Sequence, residues 1–293
     1  MWRFLGRVIL CLAGLGALGA ALLFYFVYAP PPQQPHLGGR LTRASLAVGG
    51  LTRSYLLYVP KGLPKGAALV MALHGSDGSG ARMRLETGYG FERLADAHGF
   101  AVVYPDGYEG YWNGCNIVGD YAANARNIDD VGFLEALGDK LAREIGVDRG
   151  KVFAVGLSRG GHMAYRLALE APERFRAVAA VAASLPAPEN FKCKPRGRSA
   201  PPVMIMNGTD DPLNPFDGGE VTLFGFLKRG TVLSSRATAQ YFARAHGKVE
   251  LVAIHGGGHV MPQPYWRAPR ILGPTPAAPD GPAAIWDFFA RSM

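Results

Sequence analysis

Gly156-Leu157-Ser158-Arg159-Gly160 has the most direct claim to chemistry in this sequence. It follows an apolar run, Val152–Val155, and opens a helical pattern ending near Glu170, so this G-x-S-x-G stands in a strand–turn–helix context. A serine on so tight a turn needs glycine two residues to either side. The turn lifts the hydroxyl over the sheet edge, and the N–H of Arg159, at the helix start, faces the place where negative charge develops in acyl transfer. A serine hydroxyl is a weak nucleophile until a base takes its proton, and histidine titrates closest to the working pH. A carboxylate then holds the imidazole in one tautomer and stabilises its charged form.

Two later segments supply an acid and a base in the order Ser, Asp, His. After Val203–Met206 comes Asn207-Gly208-Thr209-Asp210-Asp211-Pro212, and after Leu251–Ile254 comes His255-Gly256-Gly257-Gly258-His259. Asp211 is preferred to Asp210 because Pro212 fixes an extended or turn conformation before it. His259 is preferred to His255 because three glycines can carry it over the serine, whereas His255 ends a strand and is expected to pack or to cap it. The loop His74–Gly80 is rich in small residues and offers a second oxyanion N–H, from Ser76, with Gly75 as the alternative; His74 is expected to be structural.

The elements that must position these groups alternate. Tyr55–Val59, Leu69–Leu73, Ala101–Tyr104, Val152–Val155, Val178–Ala182, Val203–Met206 and Leu251–Ile254 read as strands. Phe91–His98, Asp129–Ile145, Arg159–Glu170, Ser235–Ala245 and Pro282–Ala290 read as helices; Val131, Leu134, Leu137, Leu141 and Ile145 recur at helical spacing. Most of the strands are unbroken apolar runs, the signature of burial on both faces. A mainly parallel sheet with helices on both sides follows, with ligands bound outside the carboxyl ends of the strands. Asp129 and Asp130 precede a helix and are expected to cap it and to pair with an arginine rather than to hold a metal.

The chain of 293 residues is 48% hydrophobic and carries 31 basic against 23 acidic residues, a net charge of +8. Such apolar content excludes disorder, and the lack of a repeat excludes a solenoid. The basic residues are scattered with no aromatic interleaving, so no nucleic-acid groove is expected. No His/Cys cluster has metal spacing and no dinucleotide fingerprint follows a strand, so neither metal nor cofactor is expected. Val8–Ala29 is free of charge, and as a helix its 22 residues span roughly 33 Å, about a bilayer core. Residues 1–29 therefore read as a signal anchor or signal peptide. The uncleaved anchor is preferred, because a cut after Val27-Tyr28-Ala29 would meet Pro30. Arg3 and Arg7 would remain cytoplasmic and send the rest of the chain outward, periplasmic or secreted; Cys11 reads as packing. Residues 30–39 form a Pro-rich spacer and 40–293 the catalytic domain. In an exported domain the remaining pair, Cys115 and Cys193, suggests one disulfide between two loops.

Several segments in one order carry a resemblance across about Arg53 to Arg291. They are Leu73-His74-Gly75, Tyr104-Pro105-Asp106-Gly107, Asp129-Asp130-Val131-Gly132-Phe133, Gly156-Leu157-Ser158-Arg159-Gly160-Gly161-His162-Met163-Ala164, Asn207–Pro212 with Asn214-Pro215, Phe216-Asp217-Gly218-Gly219 and Gly256-Gly257-Gly258-His259. The chain resembles the exported α/β-hydrolase esterases of the polyhydroxybutyrate depolymerase and feruloyl esterase-like family. The resemblance implies an α/β-hydrolase fold, a triad of Ser158, Asp211 and His259, and hydrolysis of hydroxyalkanoate oligomers or of aryl and acyl esters. Relatives usually carry Asn at Arg159 and Thr-Trp-Pro at Val260-Met261-Pro262. The aromatics from Tyr108 to Trp112, with Phe216, Phe224, Phe226 and Trp266, are candidates for an apolar pocket, and Pro264–Pro282 for its entrance. A peptidase or thioesterase on the same triad, or a membrane-anchored binding protein without catalysis, is the alternative; the sequence assigns no oligomeric state.

Overall fold

The computed structural model describes residues 2–119, 121–197, 199–223, 227–245 and 247–293; the side chains of residues 2, 3, 5–11 and 223 lie outside that description. Helix α1 (Trp2–Val27) leads through residues 28–39 to a hairpin, β1 (Arg40–Val48) and β2 (Leu51–Val59), which turns on Gly49-Gly50, both at positive φ. Then come β3 (Leu69–Leu73), α2 (Gly80–Glu86), α3 (Gly90–His98), β4 (Ala101–Pro105), α4 (Ala122–Ala125), α5 (Asp130–Ile145), β5 (Val152–Leu157) and α6 (Arg159–Glu170). The chain continues with β6 (Ala177–Val181), β7 (Val203–Gly208), a hairpin of β8 (Gly219–Leu223) and β9 (Leu227–Val232), α7 (Ser235–Arg244), β10 (Val249–Ile254) and α8 (Gly281–Ala290).

Among the described residues, eight strands form one sheet in the order β1-β2-β4-β3-β5-β6-β7-β10. The β1/β2 and β2/β4 pairs are antiparallel and all others parallel. Successive residues of each central strand feed opposite faces. Leu69, Met71 and Leu73 join one core with Leu134, Leu137 and Leu141 of α5 and Met163 and Leu167 of α6. Val70 and Ala72 join the other, with Phe91 of α3 and Ile285, Trp286 and Phe289 of α8. The unbroken apolar runs thus reflect burial on two sides. Edge strand β1 alternates in burial and was not expected as a strand, because only Ala44, Leu46 and Val48 pack inward. The β8–β9 hairpin was not expected either: β9 has apolar residues only at its two ends, Leu227 and Val232, and of these only Val232 is buried.

Asp129 caps α5 by accepting from the Gly132 N–H (2.9 Å), while buried Asp130 accepts from Arg53 Nη2 (2.8 Å) and the Asn113 N–H (2.7 Å). The two adjacent acids therefore divide the expected roles. Cys115 and Cys193 form a disulfide between the loop after β4 and the loop after β6. Among the described residues no helix is long and apolar enough to cross a membrane. Arg3, Arg7 and Cys11 of the expected anchor have side chains outside the described residues, as Phe224 and Phe226 are altogether. From Leu12 onward α1 leaves its apolar side chains exposed, and its end is held by Arg270 Nη1 donating to the Tyr25 carbonyl (3.2 Å).

Candidate active site

The turn between β5 and α6 places Ser158 at φ 54° and ψ −115°, a conformation that side chains rarely adopt. Its neighbours show why the segment is so rich in glycine. A Cβ on Gly156 would lie 2.0 Å from the Gly160 carbonyl oxygen, and one on Gly160 would lie 2.2 Å from the Leu73 oxygen. The Ser158 N–H donates to the Val181 carbonyl (2.8 Å) and its own carbonyl accepts from His162 N–H (3.1 Å), so strand β6 and helix α6 hold the turn from both sides.

His259 Nε2 lies 2.7 Å from Ser158 Oγ, and His259 Nδ1 lies 2.8 and 3.0 Å from the two carboxylate oxygens of Asp211. With Nδ1–H donating to Asp211, Nε2 is left to accept the serine proton. Asp211 is buried, and its Oδ1 also accepts from the Leu213 and Asn214 N–H groups, both at 2.8 Å. These bonds fix the carboxylate without help from its neighbour. Asp210 is exposed and takes the Thr209 hydroxyl instead (2.8 Å). His255, expected to pack or to cap the strand, is exposed just after the end of β10 and is not among the residues lining the cleft with Ser158.

Ser76, Gly75 and Arg159 border the same cleft as Ser158 and His259. A Cβ on Gly75 would come within 3.5 Å of the Ser158 Cβ, so the loop after β3 lies directly against the serine. Arg159 is the first residue of α6, where backbone N–H groups have no intrahelical acceptor. The Arg159 side chain turns inward: Nε donates to the Trp112 carbonyl (2.9 Å), Nη2 to Asn124 Oδ1 (2.6 Å), and the guanidinium lies 4.3 Å from the Tyr121 ring. Burial lowers its pKa to about 10, against the pull of Tyr121 and Asp130. His162, one turn further along α6, is pushed down to about 3 by burial first and then by the charges of Arg159 and His259, so it is neutral near pH 7. Burial raises the Glu86 carboxyl at the cleft, partly offset by Arg82.

His74 is structural, as expected. It is buried, Nε2 accepts from the Gly107 N–H (2.8 Å), and Nδ1 lies 2.7 Å from the Gly75 carbonyl. The cleft encloses about 190 Å³, below the roughly 300–1,000 Å³ common for ligand pockets. Of the aromatics expected around it, Tyr108, Tyr111, Trp112, Phe216 and Trp266 are not among its lining, and Trp112 is instead fully buried with its indole N–H on the His74 carbonyl (3.0 Å). The described lining includes Tyr121, Asn116 and Arg229, none of which sequence reasoning singled out. They lie far from Ser158 in the chain with no local pattern to mark them. The excursion 264–282 does reach the site: the His259 N–H donates to the Leu272 carbonyl (2.7 Å) and the Gly258 N–H to that of Pro274 (2.8 Å). Asn207, buried at the end of β7, was also missed; it bonds the Ala183 N–H and carbonyl and the Ser235 hydroxyl, fixing the strand end before the acid loop. Its place after an apolar strand was the available signal.

A family model described as "Putative esterase" matches residues 52–268. The chain is 31% identical to "Putative esterase NocK" of Nocardia uniformis subsp. tsuyamanensis, over 85% of this chain and 82% of that protein. It is 32% identical to "Feruloyl esterase C" of Emericella nidulans, over 81% and 83% of the two chains. Among solved structures, Thermogutta terrifontis esterase 2 phosphorylated by paraoxon superposes with a TM-score of 0.59 at 18% identity, over 88% of this chain and 95% of that one. At that identity the likeness speaks for the fold alone.

Proposed function

Since the chain belongs to the esterase family and is a carboxylic ester hydrolase, we propose that it works through an acyl-enzyme on Ser158. The observation that carries this reading is the continuous contact from Ser158 Oγ through His259 to Asp211, at 2.7 and 2.8 Å, open to a cleft. Ser158 Oγ attacks the ester carbonyl carbon while His259 Nε2 takes its proton. The carbonyl oxygen, now negative, is held by backbone N–H groups of Arg159 and Ser76. Collapse breaks the bond to the alcohol oxygen, which leaves with the proton from His259. Water then gives its proton to His259 and its oxygen to the acyl carbon, and Ser158 departs reprotonated. Asp211 keeps Nδ1 protonated throughout. No metal or cofactor enters this sequence of steps.

The small cleft suits a short acyl group, such as one hydroxyalkanoate unit, better than a polymer strand. We further assign residues 1–29 as anchor or signal, 30–39 as spacer and 40–293 as the catalytic unit, placed outside the cytoplasm. The charge-free Val8–Ala29 run and the disulfide support this.

A fluorophosphonate probe tests the mechanism. The wild type is expected to label at Ser158, and Ser158→Ala to lose labelling together with a factor of ~10⁴ or more in ester turnover. Turnover surviving in the folded variant would overturn the assignment. Carbonate-resistant membrane association of the full chain, lost on removing residues 1–29, tests the anchor.

A further inference from the structure

The cleft beside Ser158 is lined by three arginines, Arg82, Arg159 and Arg229, and by one acidic residue on its described wall, Glu86. Two of the cations are occupied. Arg82 pairs with Glu86 at 2.8 Å, and Arg159 is bound to Trp112 and Asn124. Arg229 differs. Among the described residues no carboxylate pairs with it, and its Nε is buried without a hydrogen-bond partner. Its strand neighbour Lys228 pairs with Glu220 at 3.0 Å, so among the described residues the hairpin neutralises one of its two adjacent cations, while Arg229 lines the cleft. The guanidinium lies 5.6 Å from the Tyr121 ring, which supports the charge without satisfying the N–H. A second polar atom at the same cleft, His162 Nδ1, is also buried and unpartnered.

A buried donor on a cation is costly when nothing accepts from it. An unpaired guanidinium on the wall of the cleft that holds Ser158 asks for a ligand with acceptor oxygens, and a carboxylate matches it in charge and in geometry. The net charge of +8 favours the approach of anions to the whole molecule. Resting on Ser158 as the nucleophile, we propose that Arg229 anchors a carboxylate carried by the substrate. The preferred ester is then a small anion. It is either a half-ester of a short dicarboxylic acid, with the carboxylate on the acyl side, or a short hydroxyacid oligomer with a free carboxyl end on the alcohol side.

Two matched pairs of esters test this. Monomethyl glutarate against methyl valerate places the carboxylate on the acyl side; the linear hydroxybutyrate dimer against its terminal primary amide places it on the alcohol side. The wild type is expected to favour the anionic member of one pair by about tenfold or more in kcat/KM, mainly through KM, as a charge-assisted bond would give. The preferred pair names the source. The ratio should fall toward one in Arg229→Gln, persist in part in Arg229→Lys, and shrink as ionic strength rises. A ratio equal in wild type and Arg229→Gln overturns the anchor. Should Arg229→Gln not fold, the wild-type ratio and competitive inhibition by free glutarate decide: neither discrimination nor inhibition overturns it. If wild type fails to label with fluorophosphonate and to hydrolyse p-nitrophenyl acetate, the nucleophile assignment falls and the anchor with it. Full labelling with a flat ratio removes the anchor alone.

Discussion

Ser158 sits at φ 54°, where a side chain with a Cβ costs of order 1–3 kcal/mol. The fold offsets that cost to set a hydroxyl against an imidazole. Asp211 acts at one remove, since its oxygens face His259 Nδ1 and two backbone N–H groups. Asp211→Asn keeps the shape but can turn the imidazole to the wrong tautomer, so kcat for p-nitrophenyl acetate is expected to drop by ~10⁴ with the melting temperature little changed. His162 makes a separate prediction about stability. Its folded pKa of about 3 lies below the ordinary value of 6.5, so the unfolded chain binds the proton more tightly. The stabilisation is fully present above pH 6.5 and is lost as pH falls toward 3, at up to ~1.4 kcal/mol per pH unit. Urea unfolding at pH 7 and pH 5 should show a smaller loss in His162→Gln than in wild type; equal losses would mean that His162 does not stay neutral in the fold. Ser158, Asp211 and His259 were legible at this scale because each follows an apolar strand in a fixed order. Arg229 and Tyr121 were not, because their place at the cleft comes from where distant loops meet.

At the scale of elements, the turn after β5 works because three backbones converge there: β3 through the Leu73 carbonyl, β6 through Val181, and the first turn of α6. Gly160→Ala puts a methyl where Leu73 oxygen already is, 2.2 Å away, and backbone cannot step aside as a side chain can. Loss of about 3 kcal/mol is expected, together with activity; thermal melts against wild type check it, and an unchanged melt with full turnover would mean that the turn tolerates a Cβ. Glycine spacing directly after an apolar strand made this turn readable from the sequence. The β1 and β8–β9 strands were harder to see. Each has one face or both open to solvent, so apolar residues are too sparse to mark a strand, and pairing with a neighbour decides the conformation.

Across the whole molecule, the sheet brings the carboxyl ends of β5, β7 and β10 to one edge, with β6 between the first two, so residues separated by 101 and 48 positions in the chain meet at Ser158, His259 and Asp211. The Cys115–Cys193 bridge closes a segment of 78 residues between the loops after β4 and β6, and Asn116 of the cleft follows it directly. Replacing both cysteines with serine should lower unfolding free energy by about 2–5 kcal/mol, mostly by freeing the unfolded chain. Denaturant titration of the variant against oxidised wild type measures this, and equal midpoints would show that packing alone holds the two loops. The sequence by itself determined the mainly parallel α/β sheet, the tight turn at Ser158 and the order in which Ser158, Asp211 and His259 follow their strands. Those depend on local features: apolar runs buried on two faces, glycines where backbones cross, and loops that follow strands. Tertiary structure alone decided which cleft arginine has no carboxylate partner among the described residues, which aromatic borders the cleft, and that the 264–282 excursion holds the backbone of His259. Such features depend on which distant surfaces come into contact, and short-range periodicity carries no record of that.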